Sequence, residues 1–586
     1  MRSAAARKAA RLPFPPVRSE AAIVQSVNAS AVSPRRPTPV RPPLRVAAIL
    51  LGAAAFVAAL TTLLYACSVH AVPGNSDGAT AILEGRSIAN GHFLLHGWSL
   101  SLDSFWLLDA LVSAPFVAAL GIRGELLNLV PAFIAALTVV AAMRVSSVGY
   151  RRAGALAGAV VAFAILGLPS SFLSALYLQG PLHVATALWC LVAFLLLRRL
   201  RVDGWFVLGV VLLATATVSD LSALFFGIIP LAGAAVTLMI RQRTWRAGVV
   251  PLAAALASGV LAWVIREVAI LIGTFYINNP QQQINVAQMR ANIHPLFAFT
   301  ANMLGLGGSS QVLGGNASAL EDVHVITAAL VVLGALLALL RCLTGLVRAD
   351  LTARPRATRS ALGALLRPEE GAGLPLRSAA FLDDVVLFAF LADLVVFVGL
   401  TQAPPLWPFA RYLSAAVIFG AVLGGRLAAR LVMGIRRRPI GVGLAALSCA
   451  VLALLGVSVA NNLGVTPPPQ YAKGLTSFLL AHHLTRGLGD YWSSSITTVE
   501  SHGRVTIRPV IAGPGNRLVP YPRNSQPAWF RASYQFFVFE PPTPFGGANE
   551  SAAVNTFGPP AQTYSIPGYI ILVWSAPHAL PPSPGA

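Results

Sequence analysis

The sequence predicts a mainly α-helical, polytopic membrane protein with about eleven transmembrane helices and a small C-terminal α/β tail domain outside the membrane. Three observations predict it. Of 586 residues, 56% are hydrophobic and only 11% charged, against roughly 25% charged in a soluble domain. Mean hydropathy is +0.70. The 42 Lys and Arg, against 21 Asp and Glu, fall in short runs between apolar segments, as positive-inside topology requires. That placement turns the +21 charge towards a lipid surface and away from nucleic acid.

The elements follow in order. Residues 1–45 combine Arg2, Arg7, Lys8, Arg11, Arg18, Arg35, Arg36, Arg41 and Arg45 with several prolines and one acid, Glu20. With no sustained apolar run, they read as a disordered basic tail beside anionic lipid on the cytoplasmic side. The run 46–67 is long enough to span, since about 20 apolar residues cross a bilayer. It leads outward, which makes 68–125 the first outer loop. Further spans are expected at 126–143, 153–169, 181–197, 205–219, 221–240, 248–265, 323–340, 380–400, 413–431 and 440–460. With these eleven, the basic loops Arg144/Arg151/Arg152, Arg198/Arg199/Arg201, Arg241/Arg243/Arg246, 341–379 and Arg426–Arg438 all fall inside. The apolar segment 104–121 carries Asp109, and as a full span it would reverse every later loop. It therefore reads as a helix on, or dipping into, the outer leaflet, with Trp98 and Trp106 as interface anchors.

The spans bound a transmembrane domain over 46–465, with a long outer loop at 278–322 and a cytoplasmic loop at 341–379. Residues 466–586 then form an extracytoplasmic tail. Leu475, Phe478, Leu479 and His482 have helical spacing. The segments 496–500, 505–511, 536–539 and 569–574 read as short strands. Cys67, Cys190, Cys342 and Cys449 are scattered among apolar runs, which fits buried thiols and neither a disulfide framework nor metal spacing. The expected location is the plasma membrane, with the N-terminus cytoplasmic and the tail domain outside.

The first outer loop is where chemistry is expected, because it gathers Asp77, Glu84, His92, His96 and Asp103 in a chain poor in charge. Later outer pieces add Tyr177, Gln179 and His183, the turn at Asp220, and the head of a late span with Arg411, Tyr412 and Leu413. Each has a plainer reading. Asp77, just before Gly78, suits a helix N-cap. Arg411 suits a headgroup anchor, Asp220 a solvated turn, and His183 a hydrogen-bonded interfacial histidine. His482, His483, Asp490 and His502 match no ligand pattern and read as surface residues.

The order of one span, an outer loop with Asp77, Glu84-Gly85 and Gly91, then a surface helix, and later Arg411-Tyr412-Leu413, resembles the GT-C superfamily of membrane glycosyltransferases. The likeness is to its protein mannosyltransferase and aminoarabinose transferase branch. Gly487-Leu-Gly-Asp-Tyr-Trp492, followed by an expected strand, is similar to the outer tail of bacterial members. The resemblance implies a polyprenyl-phosphate-linked sugar as donor and an outer acceptor, whether glycan, lipid or protein. It implies Asp77 as catalytic base, and Arg411 with Tyr412 and His183 at the donor's lipid phosphate. Glu84, Asp103 and Asp220 are further cavity candidates. Two departures concern a divalent metal. Asp77 is followed by Gly78 where many relatives have a second acid, and the next outer loop has Tyr177, Gln179 and His183 in place of acids. These departures speak against a metal-dependent mechanism: no metal ligand is assigned and no cofactor is firm, with a divalent metal left as an open alternative. The competing classes are a transporter or lipid flippase, which needs charges lining a membrane path, and a non-catalytic envelope scaffold. Asp109, Arg266, Glu267 and Asp393 are the charges available to a transporter.

Overall fold

The computed structural model describes residues 43–71, 73–101, 103–277, 286–305, 323–350, 376–399, 407–435, 438–542 and 544–581. The basic tail read over 1–45 lies almost wholly outside them.

The first helix, α1 (Pro43–Ala71), is followed by α2 (Ser76–Ala89). Asn75 caps α2 by accepting from the Gly78 amide at 2.9 Å, so the cap is not Asp77, as one reading of the sequence had it. A π turn at Trp106–Ala110 then runs into α3 (Leu111–Leu120), a 15-residue apolar unit shorter than a span. Gly85 lets α2 press against it, for a Cβ there would stand 2.7 Å from Ser113 Cβ.

The bundle continues with α4 (Leu126–Ser147), α5 (Arg152–Leu166), α6 (Ser171–Tyr177), α7 (Val184–Leu197), α8 (Gly204–Ser219), α9 (Ile229–Gln242) and α10 (Val249–Leu271). Then come α11 (Val286–Met303), α12 (His324–Asp350), α13 (Leu376–Gly399), α14 (Ser414–Gly434) and α15 (Arg438–Leu463). Helix α11 lies inside the stretch read as the outer loop 278–322. Its polar composition hid a helix that buries Asn292, Phe299 and Met303 and donates from Asn292 to the Val398 carbonyl at 3.0 Å.

Among the described residues, seven helices are long and apolar enough to cross a membrane, or eight if the α5–α6 pair, bent by 85°, is one span. The other four expected spans fall outside that count. Residues 153–169 break at the bend; α7 and α8 have 14 and 16 residues, fewer than the ~20 a bilayer needs; and α13 carries Asp383, Asp384 and Asp393. The outward faces fit lipid. Leu256, Val260, Trp263 and Leu271 on α10, Val332, Leu333 and Leu336 on α12, and Val442 and Leu447 on α15 are exposed apolar side chains, an arrangement that water would penalise. The protein is a membrane protein. Cys67, Cys190 and Cys342 are buried, whereas Cys449 is exposed on one of these apolar faces.

The C-terminal segment opens with α16 (Tyr471–Ala481) and forms a six-stranded mixed sheet of β3 (Arg486–Gly489), β4 (Thr506–Ala512), β5 (Leu518–Pro520), β6 (Ser533–Phe539), β7 (Gln562–Ile566) and β8 (Tyr569–Ala579) in the order β5-β4-β3-β6-β8-β7. Here β3 pairs in parallel with both neighbours. Between β3 and β4 runs α17 (Tyr491–Glu500), and α18 (Glu550–Phe557) precedes β7. The expected strand at 496–500 is thus part of a helix. Asp490 caps it at the Ser493 amide (3.0 Å), and the Ser494 and Thr497 hydroxyls turn back onto carbonyls one turn earlier. A strand pair, β1 (Ser99–Leu100) with β2 (Tyr276–Ile277), ties the first loop to this domain: Ser99 and Ser525 exchange backbone bonds of 2.7 and 3.2 Å.

Candidate functional site

Four segments converge on one cavity of about 380 Å³. Helix α2 supplies Asp77, Thr80, Ala81 and Glu84, whose spacing of three, four and seven places them on one helical face. The loop before the π turn supplies Ser101, Asp103, Ser104 and Phe105; the loop before α7 supplies Pro181, Leu182 and His183; the turn before α14 supplies Arg411 and Tyr412. The remaining wall comes from the C-terminal domain through Tyr491, Trp492, Tyr521, Arg523, Asn524 and Phe545.

Local chemistry fixes each wall. The α2 N-terminus abuts the loop before α7 at Gly180, whose φ of +123° suits glycine and where a Cβ would stand 3.2 Å from Gly78 Cα. Across the other side, Ser76 donates to the Trp492 carbonyl at 2.9 Å and Thr80 to Ser495 Oγ at 3.2 Å. These bonds clamp α2 to α17 and bring Tyr491 over Asp77.

Asp77 is the hub. Its Oδ1 accepts from the Tyr491 hydroxyl at 2.5 Å, and its Oδ2 lies 3.5 Å from Arg411 Nη1. Asn524 Nδ2 in turn donates to the Tyr491 hydroxyl at 3.0 Å. The Arg411 guanidinium carbon sits 5.3 Å from the Tyr412 ring centre. Tyr491 also meets Trp492, Tyr521 and Phe545 at ring distances of 5.0, 5.0 and 5.5 Å. Burial first, and then the Asp77 charge, push the Tyr491 hydroxyl well above its ordinary range, so it stays a donor.

At the far side of the cavity His183 Nδ1 bonds Asp220 Oδ2 at 2.7 Å. Asp220 is fully buried and does not line the cavity; the solvated-turn reading does not hold. Burial lifts Glu84 well above the usual carboxylate range, with Asp109 adding to it. Burial, and then Asp220, raise Asp103 to about 6.

The structure thus brings Asp77, Glu84, Asp103, His183, Arg411 and Tyr412 to one cavity and sets Asp220 behind His183. His92 is exposed, and exposed His96 bonds the Gly273 carbonyl at 2.9 Å. Trp98 and Trp106, expected as interface anchors, are buried: Trp98 packs on Trp529 at 5.2 Å, and Trp106 donates to the Phe93 carbonyl at 2.8 Å. Of the tail residues read as surface, His482, His483 and His502 are exposed and Asp490 is a buried cap. Tyr491, Asn524 and the aromatic wall escaped the sequence reading. The only signal for them was the Asp-Tyr-Trp run at 490–492, which no local pattern connects to Asp77. Among the described residues, no group of three or more His, Cys, Asp and Glu is placed to hold a metal ion. No protein-family model and no curated protein matches the chain.

Proposed function

We propose that this protein is a GT-C-type membrane glycosyltransferase that moves a sugar from a polyprenyl phosphate to an outer acceptor. The observation that carries the reading is the pairing of Asp77 and Arg411, 3.5 Å apart, at a cavity walled by both the helix bundle and the C-terminal domain. In this reading the shorter apolar helices and the acid-bearing α13 complete an eleven-helix plan in the plasma membrane. The N-terminus is then cytoplasmic, and the cavity and tail domain lie outside.

Asp77 takes the proton of the acceptor hydroxyl as that oxygen bonds the anomeric carbon. The bond from that carbon to the phosphate oxygen breaks, and its electron pair leaves with the lipid phosphate. Arg411 neutralises that charge, for which a planar guanidinium is well shaped. Tyr491, held by Asn524, fixes the carboxylate's orientation. The aromatic wall of Trp492, Tyr521 and Phe545 offers faces on which a sugar ring can rest. No step is assigned to a metal.

The test is transfer of labelled sugar from polyprenyl-phosphate donors in membranes carrying wild type, Asp77→Ala or Asp77→Asn at equal expression. Transfer by wild type that both variants lose is the expected result. Unchanged transfer in both variants removes Asp77 from the chemistry and the proposal with it.

A further inference from the structure

We propose that a groove on the C-terminal domain, separate from the cavity at Asp77, binds a saccharide chain. A glycan acceptor rests its length there while its end reaches the cavity. The inference deepens the transferase reading and rests on it only for calling that chain the acceptor.

The groove encloses about 770 Å³, against about 380 Å³ for the cavity, a size common to ligand sites. Its floor is the cross-strand pair of Ile511 on β4 and Val519 on β5. Its walls are the loop after β5, with Tyr521 and Phe530, and the residues that follow β8. The two spaces adjoin. Tyr521 lines both, Arg523 and Asn524 face the cavity, and Ser525 lines the groove again. Three chain steps separate Tyr521 from Asn524, no more than about 11 Å. Ser99 of the first outer loop, bonded to Ser525, lines the groove as well.

Wall chemistry selects the ligand. Pro514, Pro520, Pro522, Pro527 and Pro581 all line the groove, and each has a fixed φ and no N–H. The groove is therefore stiff and poor in main-chain donors. Strand β5 is an edge of the sheet, where a peptide could add as a further strand. On an antiparallel edge the N–H groups face outward at alternate residues. Leu518 already donates its N–H to the Thr556 hydroxyl at 2.8 Å, and Pro520, two residues on, has none. A peptide backbone finds no ladder here. An acyl chain fits no better, because Pro514, Pro522, Pro527 and Arg531 are exposed and the rim is wet. A sugar ring satisfies both conditions. Its C–H faces pack on the rings of Tyr521, Phe530 and the prolines, and its hydroxyls stay at the rim. Arg531 is the one charged side chain of the groove, and no acid holds it among the described residues. Its guanidinium N–H groups are free to donate to those hydroxyls.

The experiment measures binding of the full-length protein in nanodiscs to an array. The array carries linear hexasaccharides of neutral hexoses and pentoses, the matching monosaccharides, and proline-rich peptides. Wild type is expected to bind at least one hexasaccharide roughly tenfold more tightly than its monosaccharide, and no peptide. Arg531→Ala and Phe530→Ala should each weaken that binding by roughly tenfold. Phe530 packs on the domain core, so its loss can unfold the domain; Arg531 is exposed, and Arg531→Ala should keep the wild-type melting temperature. A wild type that prefers no hexasaccharide to its monosaccharide overturns the inference. So does binding that both substitutions leave intact, or capture by the peptides in place of the saccharides. Chain binding through Arg531 in a protein that transfers no sugar would keep the groove and remove the transferase. Sugar transfer by Arg531→Ala with the wild-type KM for a glycan acceptor would do the reverse.

Discussion

Two clusters of opposite charges lie along α14, and they are built differently. Near its C-terminal half, Arg426 and Arg430 grip Asp383. Arg426 also donates to the carbonyls of Val145 (2.9 Å), Val148 (3.1 Å) and Ala379 (3.0 Å). Both guanidinium groups lie over the Tyr150 ring, and Arg241 holds Asp384 through bonds of 2.5 and 3.0 Å nearby. The other cluster stands just before the helix starts, about 18 Å away measured from Ser414 to Arg426 at 1.5 Å per residue. There Arg411 meets Asp77 through one 3.5 Å contact, and both side chains are about a quarter exposed, at 26% and 23%. The first cluster spends its donors on the protein and locks helices together. The second leaves bonding capacity facing a cavity, as a site that must bind something requires.

The comparison breaks or holds on mutation. Arg426→Met should strip the buried Asp383 of its main partner and cost about 3–5 kcal/mol of stability, read by denaturation of the purified protein. Replacing Asp383, Arg426 and Arg430 together by apolar residues should recover most of that loss. Asp77→Asn should leave the melting temperature in place and lower transfer by about 10²–10⁴-fold. Its unfolding in the manner of Arg426→Met would make the two clusters alike and end the distinction. Tyr491→Phe should lower transfer several-fold, in line with the ~1 kcal/mol of one hydrogen bond, and leave donor binding intact.

The smallest effect lies away from both clusters. Burial, with Asp490 adding to it, lifts Glu540 from 4.5 to about 7. Because the folded protein holds this proton more tightly than the unfolded chain, the stabilisation is complete below pH ~4.5 and fades as pH rises through about 7. Glu540→Gln should flatten that slope in a pH series of melting temperatures. A slope unchanged by the substitution would place the titration elsewhere.

Legibility followed the range of the forces involved. Long apolar runs such as those in α4, α10 and α12 are read directly from hydropathy, because burial in lipid depends on local composition. The same windows started α7 early, at 181, because the turn before it sets its start at Val184, and they placed α8 within a residue. Ile496 to Glu500 passed for a strand because its β-branched residues imitate one. The capping bond from Asp490, and burial between α2 and β4, made it a helix. Trp98 and Trp106 passed for interface anchors because amphipathic rings usually are; here the C-terminal domain and Phe275 cover them.

The sequence by itself determined that this chain is helical, embedded in a membrane and capped by a small sheet domain, because composition and charge placement act residue by residue. It also singled out Asp77, His183 and Arg411 as polar residues in unusual surroundings. Only the tertiary structure decided that they share one cavity, that Asp220 stands behind His183, and that Tyr491 closes over Asp77 from 414 residues further along the chain. The physical reason is that a hydrogen bond needs its partners within about 3 Å, and no local pattern records which distant segments folding will bring that close.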